Sequence, residues 1–167
     1  MKPWKTRRNL RPRRRWFQYK LRTLLIAMTL ASVGADILFA AGNCGAECPD
    51  PRCNGRTSGT IMGANSLADV LTVAGCDTND DRAGYSSQGP SIAGMQADKP
   101  DLATYTHFLG SETYGNGTPD TGTSAACPVA AGCVAALRTR LPPDAQPPAR
   151  LFAQLRASAA PGRPSAP

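Results

Sequence analysis

The chain has 167 residues, enough for one domain with a core of its own, and an apolar share of 41% excludes a wholly disordered polypeptide. Its formal charge of +7 misleads: residues 1–22 hold ten Lys and Arg and no acid, whereas the other nine bases against twelve acids leave residues 23–167 at 9 − 12 = −3. Bases confined to one terminal arm do not form the basic face that nucleic-acid binding requires, so no nucleic acid is expected as a partner.

Taken in order, residues 1–35 read as a basic export leader. A basic region, MKPWKTRRNLRPRRRWFQYKLR, precedes the apolar stretch Leu24 to Val33, and Val33-Gly34-Ala35 offers small residues for cleavage after Ala35. Asp36 interrupts the apolar run before it reaches the roughly 20 residues a membrane-crossing helix needs, so a cut leader is favoured over a permanent membrane anchor. The arginines hold this end in the cytoplasm while the rest crosses, which makes the protein exported: secreted, periplasmic or membrane-anchored. Membrane contact is expected only through this leader. The competing reading is a basic amphipathic surface helix.

Asp36 to Asn43 has four successive apolar residues, Ile37 to Ala40, then small residues and a turn, the shape of a short buried strand that ends in a loop. Open parallel sheets place their ligand-binding residues in such loops. Cys44, Cys48 and Cys53 follow in a tight loop with Pro49 and Pro51. Ile61 to Gly75, around Val70-Leu71-Thr72-Val73-Ala74, predicts a second strand, and Lys99 to Tyr105 a third short one. A helix is predicted from Ser124 to Arg140, stopped by Pro142 and Pro143. A last short helix spans Ala149 to Ala157, with Leu151, Phe152 and Leu155 on one face, before a frayed tail from residue 159 to 167.

Residue type, spacing and secondary structure converge on chemistry at Gly122-Thr123-Ser124. The predicted helix puts the Ser124 hydroxyl at a helix N-terminus, where unpaired N–H groups and the positive end of the dipole favour negative charge. That setting suits a serine that attacks a carbonyl and generates an oxyanion beside itself. For an isolated Gly-Thr-Ser, an N-cap serine is the competing reading.

Five stretches resemble successive landmarks of the subtilisin-like serine proteases, in that family's order: Ala40-Ala41-Gly42-Asn43, Val70 to Gly75, Tyr85-Ser86-Ser87-Gln88-Gly89-Pro90, Lys99-Pro100-Asp101-Leu102-Ala103, and Gly122 to Gly132. The resemblance implies that Ser124 is the nucleophile and Asn43 the side-chain donor of the oxyanion hole, beside the Ser124 N–H. Ala40, Ala41 and Gly42 would line the pocket for the substrate side chain. Losing one oxyanion donor costs about 10²–10³ in rate, a magnitude measured in subtilisin itself. The resemblance implies no cofactor and no metal, and a polypeptide substrate.

The same resemblance exposes what is missing. The family's order is Asp, His, Ser, with the Asp and His motifs upstream of the asparagine, and no histidine lies before Asn43. His107, the sole histidine, stands where the family does not keep its base. A serine hydroxyl without an imidazole is a poor nucleophile at neutral pH. Within the serine motif, Ala125 stands where the family usually has Met and Val129 where it usually has His. The expected fold is α/β: a partial doubly wound parallel sheet of the subtilisin-like type over residues 36–158, its N-terminal half missing. Little or no protease activity is expected of the chain alone, and the missing half of the domain is an expected partner. The alternatives are a non-catalytic exported peptide-binding module and a cysteine-stapled structural protein.

Six cysteines in an exported chain favour disulfides, with 15 pairings open. Cys44, Cys48 and Cys53 are expected to staple their loop. A zinc site would need four ligands, and no histidine lies nearby in the sequence. Cys127 and Cys133, six apart on one helix and so about 240° around it, cannot reach each other, and each reads as a small core residue or a partner for another cysteine. Asp77, Asn79 and Asp81 imitate the start of a calcium loop, but Arg82 stands where glycine is needed and Gln88 where the bidentate glutamate belongs, which leaves a solvated loop.

Overall fold

The structure, a computed structural model, describes residues 26, 29, 34–46, 53–96, 98–111 and 115–160. Most of the expected leader, Cys48 and the last seven residues lie outside the described residues, and no helix within them is long and apolar enough to cross a membrane.

Three strands, β1 (Leu38–Ala40), β2 (Leu71–Cys76) and β3 (Leu102–Tyr105), make a parallel sheet in the order β1-β2-β3. Leu38 pairs with Leu71, and Val73 with Leu102. Every residue of the central strand β2 is buried. A parallel strand covered on both faces is nearly all apolar, which is why Val70 to Ala74 reads as an apolar cluster, with the buried Thr72 hydroxyl satisfied by the Asn65 carbonyl at 2.8 Å. Helix α1 (Thr123–Arg138) crosses all three strands, and α2 (Pro148–Ser158) follows.

The faces of α1 explain its position. Ala126 and Ala130 are buried against Val73, so small residues let the helix lie close to the sheet. Further along, Val134 joins Leu71, Leu151 and Phe152 in a second cluster. Full burial of such a side chain contributes about 1.5–3 kcal/mol, so this cluster holds both helices to the sheet. The departures at Ala125 and Val129 leave this packing intact: Ala125 is itself buried and Val129 half-buried.

Two charge clusters fasten the sheet. Arg138 donates from Nε and Nη2 to the two carboxylate oxygens of Asp36 (2.6 and 2.5 Å) and from Nη1 to the Leu141 and Gln146 carbonyls. This bidentate contact ties the start of β1 to the end of α1. Under β3, Asp101 accepts from the Thr72 N–H (2.6 Å), Lys99 Nζ (2.5 Å) and Arg156 Nε (2.6 Å), with the side chains of Lys99 and Asp101 fully buried. Lys99 also donates to the Val70 carbonyl at 2.8 Å. Burial pushes the Lys99 ammonium below its ordinary range, against the pull of Asp101.

The observed elements differ from expectation at their edges. The first part of the predicted Ile61 to Gly75 strand is a 3₁₀ turn, Gly63–Ser66. There Asn65 donates to the Ala40 carbonyl, Ser66 to the Ile61 carbonyl, and Thr72 Oγ1 to the Asn65 carbonyl. Side-chain bonds of this kind offer the backbone an alternative to a sheet ladder. Helix α1 stops at Arg138, two residues short of the predicted end, as the Thr139 N–H turns back to the Ala136 carbonyl.

Candidate active site

Ser124 is the second residue of α1, exposed, and among the described residues nothing hydrogen-bonds its hydroxyl. Its N–H lies in the first helical turn, where a donor has no carbonyl four residues back. Pro128 lies inside the helix and has no N–H, so the Ser124 carbonyl also lacks its usual partner one turn on. The residue before the helix, Gly122, has φ 83°, in the left-handed region that glycine enters without strain. A Cβ there would also come within 3.1 Å of Asn43 Nδ2, so that amide would have to give way by a few tenths of an ångström.

Asn43 stands opposite. Its Oδ1 accepts from both the Thr123 N–H and the Thr123 hydroxyl, each at 3.0 Å, while Thr123 Oγ1 accepts from the Gly42 N–H at 3.1 Å. A backbone N–H can only donate, so the amide oxygen must face Thr123. The Nδ2 donors are thereby turned away from Thr123 and toward Gly122, and among the described residues they have no acceptor. Residues 43 and 123, eighty apart in sequence, are thus locked together with two donors left over: Asn43 Nδ2 and the Ser124 N–H.

The Tyr85-Ser86-Ser87 stretch cradles the Asn43 loop. The Tyr85 carbonyl accepts from the Gly45 N–H (2.7 Å), Ser87 Oγ from the Cys44 N–H (3.0 Å), and the Ser87 N–H donates to the Gly42 carbonyl (2.8 Å). Ser86 Oγ accepts from the Gly75 N–H at 3.1 Å and ties the cradle to β2. A Cys44–Cys53 disulfide begins one residue after Asn43. Cys127 is half-buried and Cys133 exposed, both free thiols, so Cys133 is not the core residue expected, because its side of α1 faces away from the sheet.

Of the expected pocket residues, Ala40 and Gly42 are half-buried, whereas Ala41 is turned into the core against Ile61 and Ala74. His107 is exposed, with φ 63° and its ring 5.7 Å from that of Tyr85. Among the described residues no group of three or more His, Cys, Asp or Glu side chains could hold a metal ion. The Asp77 carboxylate accepts the Asn79 and Asp81 N–H groups of its own loop. Those bonds hold its carboxyl below its ordinary range.

The sequence matches the profile of the subtilase family over residues 18–162. The chain belongs to the subtilase family. Among solved structures, this subtilase is similar to that of the prenylagaramide maturation protease PagA, with TM-score 0.53 and 21% identity, over 81% of this chain and 44% of that one. It therefore spans less than half the length of that structure. A search of curated proteins finds no match. The family match begins at residue 18, within the segment expected to be an export leader.

Three residues of this site carry bonds that sequence reasoning did not assign: Thr123, Tyr85 and Thr106. Thr123 and Tyr85 lie within landmarks and Thr106 shortly after one, but only the fold shows what each hydroxyl meets.

Proposed function

We propose that this subtilase carries the nucleophile and oxyanion half of a serine endopeptidase site. Ser124 attacks the peptide carbonyl, and the oxyanion is received by Asn43 Nδ2 and the Ser124 N–H. Ala40 and Gly42 flank the substrate side chain. The observation that carries this reading is the orientation of Asn43: Thr123 holds its oxygen, so its donors are left free beside an exposed serine at a helix N-terminus. Donors fixed before the reaction need no reorganisation as charge develops, which is the physical requirement of an oxyanion hole.

The general base belongs to the half of the domain that residues 36–158 do not span. Ser124 has no imidazole or carboxylate bonded to its hydroxyl among the described residues, and the alignment with PagA spans 44% of that structure. An Asp and a His in that half complete the triad. Hydrolysis of a fluorogenic peptide tests this. The full chain alone is expected to be inactive, and activity is expected to appear when the polypeptide encoded immediately upstream is added and to vanish with Ser124→Ala. Cleavage by the chain alone that His107→Ala abolishes would assign the base to His107 and reject the split site.

We further propose export, supported by the Cys44–Cys53 disulfide, since such bonds persist in oxidising compartments. For residues 18–35 a second reading is favoured by specific observations: the family match includes them, and Ile26 and Thr29 are helical. On that reading the segment belongs to the catalytic domain. N-terminal sequencing of the mature protein separates the two, because cleavage after Ala35 leaves Asp36 first.

A further inference from the structure

Gly122, the residue that sets the entry of α1, is held at both its N–H and its carbonyl by one pair of hydroxyls. The Gly122 N–H donates to Tyr85 Oη at 2.9 Å, Tyr85 Oη lies 3.2 Å from Thr106 Oγ1, and Thr106 Oγ1 donates to the Gly122 carbonyl at 3.1 Å. The direction of every bond follows. Thr106 has one hydroxyl proton, and a carbonyl can only accept, so that proton goes to Gly122. Tyr85 must then donate to Thr106, which leaves its own lone pairs for the Gly122 N–H. The three bonds run head to tail in a closed ring, an arrangement in which each bond polarises the next.

Both hydroxyl residues are anchored elsewhere. The Thr106 side chain is buried, and its N–H continues the sheet ladder to the Cys76 carbonyl at 3.0 Å. The Tyr85 carbonyl takes the Gly45 N–H of the Asn43 loop at 2.7 Å. Tyr85 is therefore bonded through its backbone to the loop that carries Asn43 and through its hydroxyl to the residue that starts the Ser124 helix. We infer that Tyr85 is a positioning residue, a strut that sets the separation between Asn43 and Ser124, with Thr106 fixing the direction of its hydroxyl. The inference rests on the reading of Ser124 and Asn43 as one site, because otherwise the separation would have no chemical consequence.

The test uses isotope-labelled full chain and the variants Tyr85→Phe, Thr106→Val, Thr106→Ser and the double variant Tyr85→Phe/Thr106→Val. In Tyr85→Phe, hydrogen exchange at the Gly122 N–H is expected to accelerate about tenfold, the worth of one hydrogen bond, and the Asn43 side-chain amide resonances are expected to move. The resonances of Val134 and Phe152 in the core should stay in place. Thr106→Ser keeps the ring and should match wild type, whereas Thr106→Val should reproduce part of the loss. The double variant should exchange no faster than Tyr85→Phe, since the ring breaks once. Unchanged Gly122 exchange in Tyr85→Phe, or additive effects in the double variant, would overturn the inference. If Tyr85→Phe does not fold, the Thr106→Ser and Thr106→Val pair decides by the same two signals. Affinity for a peptidyl boronic acid, measured alongside with the upstream-encoded polypeptide that restores hydrolysis present, should fall in Tyr85→Phe; no binding even by wild type under those conditions would reject the peptidase reading while the exchange data still decide the strut.

Discussion

Replacing Thr123 by valine keeps the shape of a side chain only 1% exposed and deletes one hydroxyl. Two bonds go with it: the acceptor for the Gly42 N–H at 3.1 Å and the donor to Asn43 Oδ1 at 3.0 Å. Asn43 keeps the Thr123 N–H, so the second loss is an ordinary hydrogen bond of about 1 kcal/mol, whereas the Gly42 N–H is stranded in a partly buried site at about 1–3 kcal/mol. Together they predict a loss of roughly 2–4 kcal/mol. At about 2–4 °C per kcal/mol for a chain of this size, Tm should fall by roughly 4–16 °C. Far-UV circular dichroism, in urea and on heating, is the suitable assay, because it follows the loss of α1, α2 and the sheet directly. Thr123→Ser keeps the hydroxyl and should recover most of the loss. A Thr123→Val protein within about 0.5 kcal/mol of wild type, or a serine variant no better than the valine one, would refute the claim that this hydroxyl joins the two loops.

Asp101→Ala strands the buried Lys99 ammonium and should cost about 3–5 kcal/mol in urea unfolding, while Lys99→Met/Asp101→Leu should recover much of it; equal losses in the two would contradict the buried pair. The loop N–H groups of Asn79 and Asp81 lower the Asp77 carboxyl below its ordinary 3.8, so the unfolded chain takes up that proton first. The stability it contributes is present above pH 3.8 and lost as pH falls through the folded value, and Asp77→Asn should flatten that part of the acid limb of a stability-pH curve. Cys133 is exposed and should alkylate in the native protein, whereas Cys76 is buried, its thiol pushed up by desolvation, and should react only on unfolding. Peptide mapping by mass spectrometry reads both sites.

The elements legible in the sequence were those whose burial leaves a local pattern. The run Val70 to Ala74 announced β2 because a central parallel strand is covered on both sides. Leu151, Phe152 and Leu155 announced α2 because their helical spacing forms one stripe, and the first two are buried while the third is partly so. The 3₁₀ turn at Gly63–Ser66 was not legible, since its polar side chains bond to carbonyls such as Ala40 that only the fold brings near. The Lys99-Pro100-Asp101 stretch was recognisable as a landmark, yet its physical role depends on Arg156, which lies 55 residues on. At the candidate site, Ser124 stood out by residue type and its place at a helix start, and Asn43 only through the family resemblance. Their coupling through Thr123, and the Tyr85 strut, depend on contacts between segments far apart in sequence and leave no periodic trace.

The central claim is that Ser124 and Asn43 form one site that receives a tetrahedral adduct. Titration of the full chain with a peptidyl boronic acid, in the presence of the upstream-encoded polypeptide that restores hydrolysis and followed by boron NMR, tests it most directly, since the reagent bonds an activated serine oxygen and puts a boronate oxygen where the oxyanion would lie. The account predicts a saturable tetrahedral adduct, its loss in Ser124→Ala, and at least about tenfold weaker binding in Asn43→Ala, as one charge-assisted donor is removed. An adduct that survives Ser124→Ala, or one indifferent to Asn43→Ala, would contradict it.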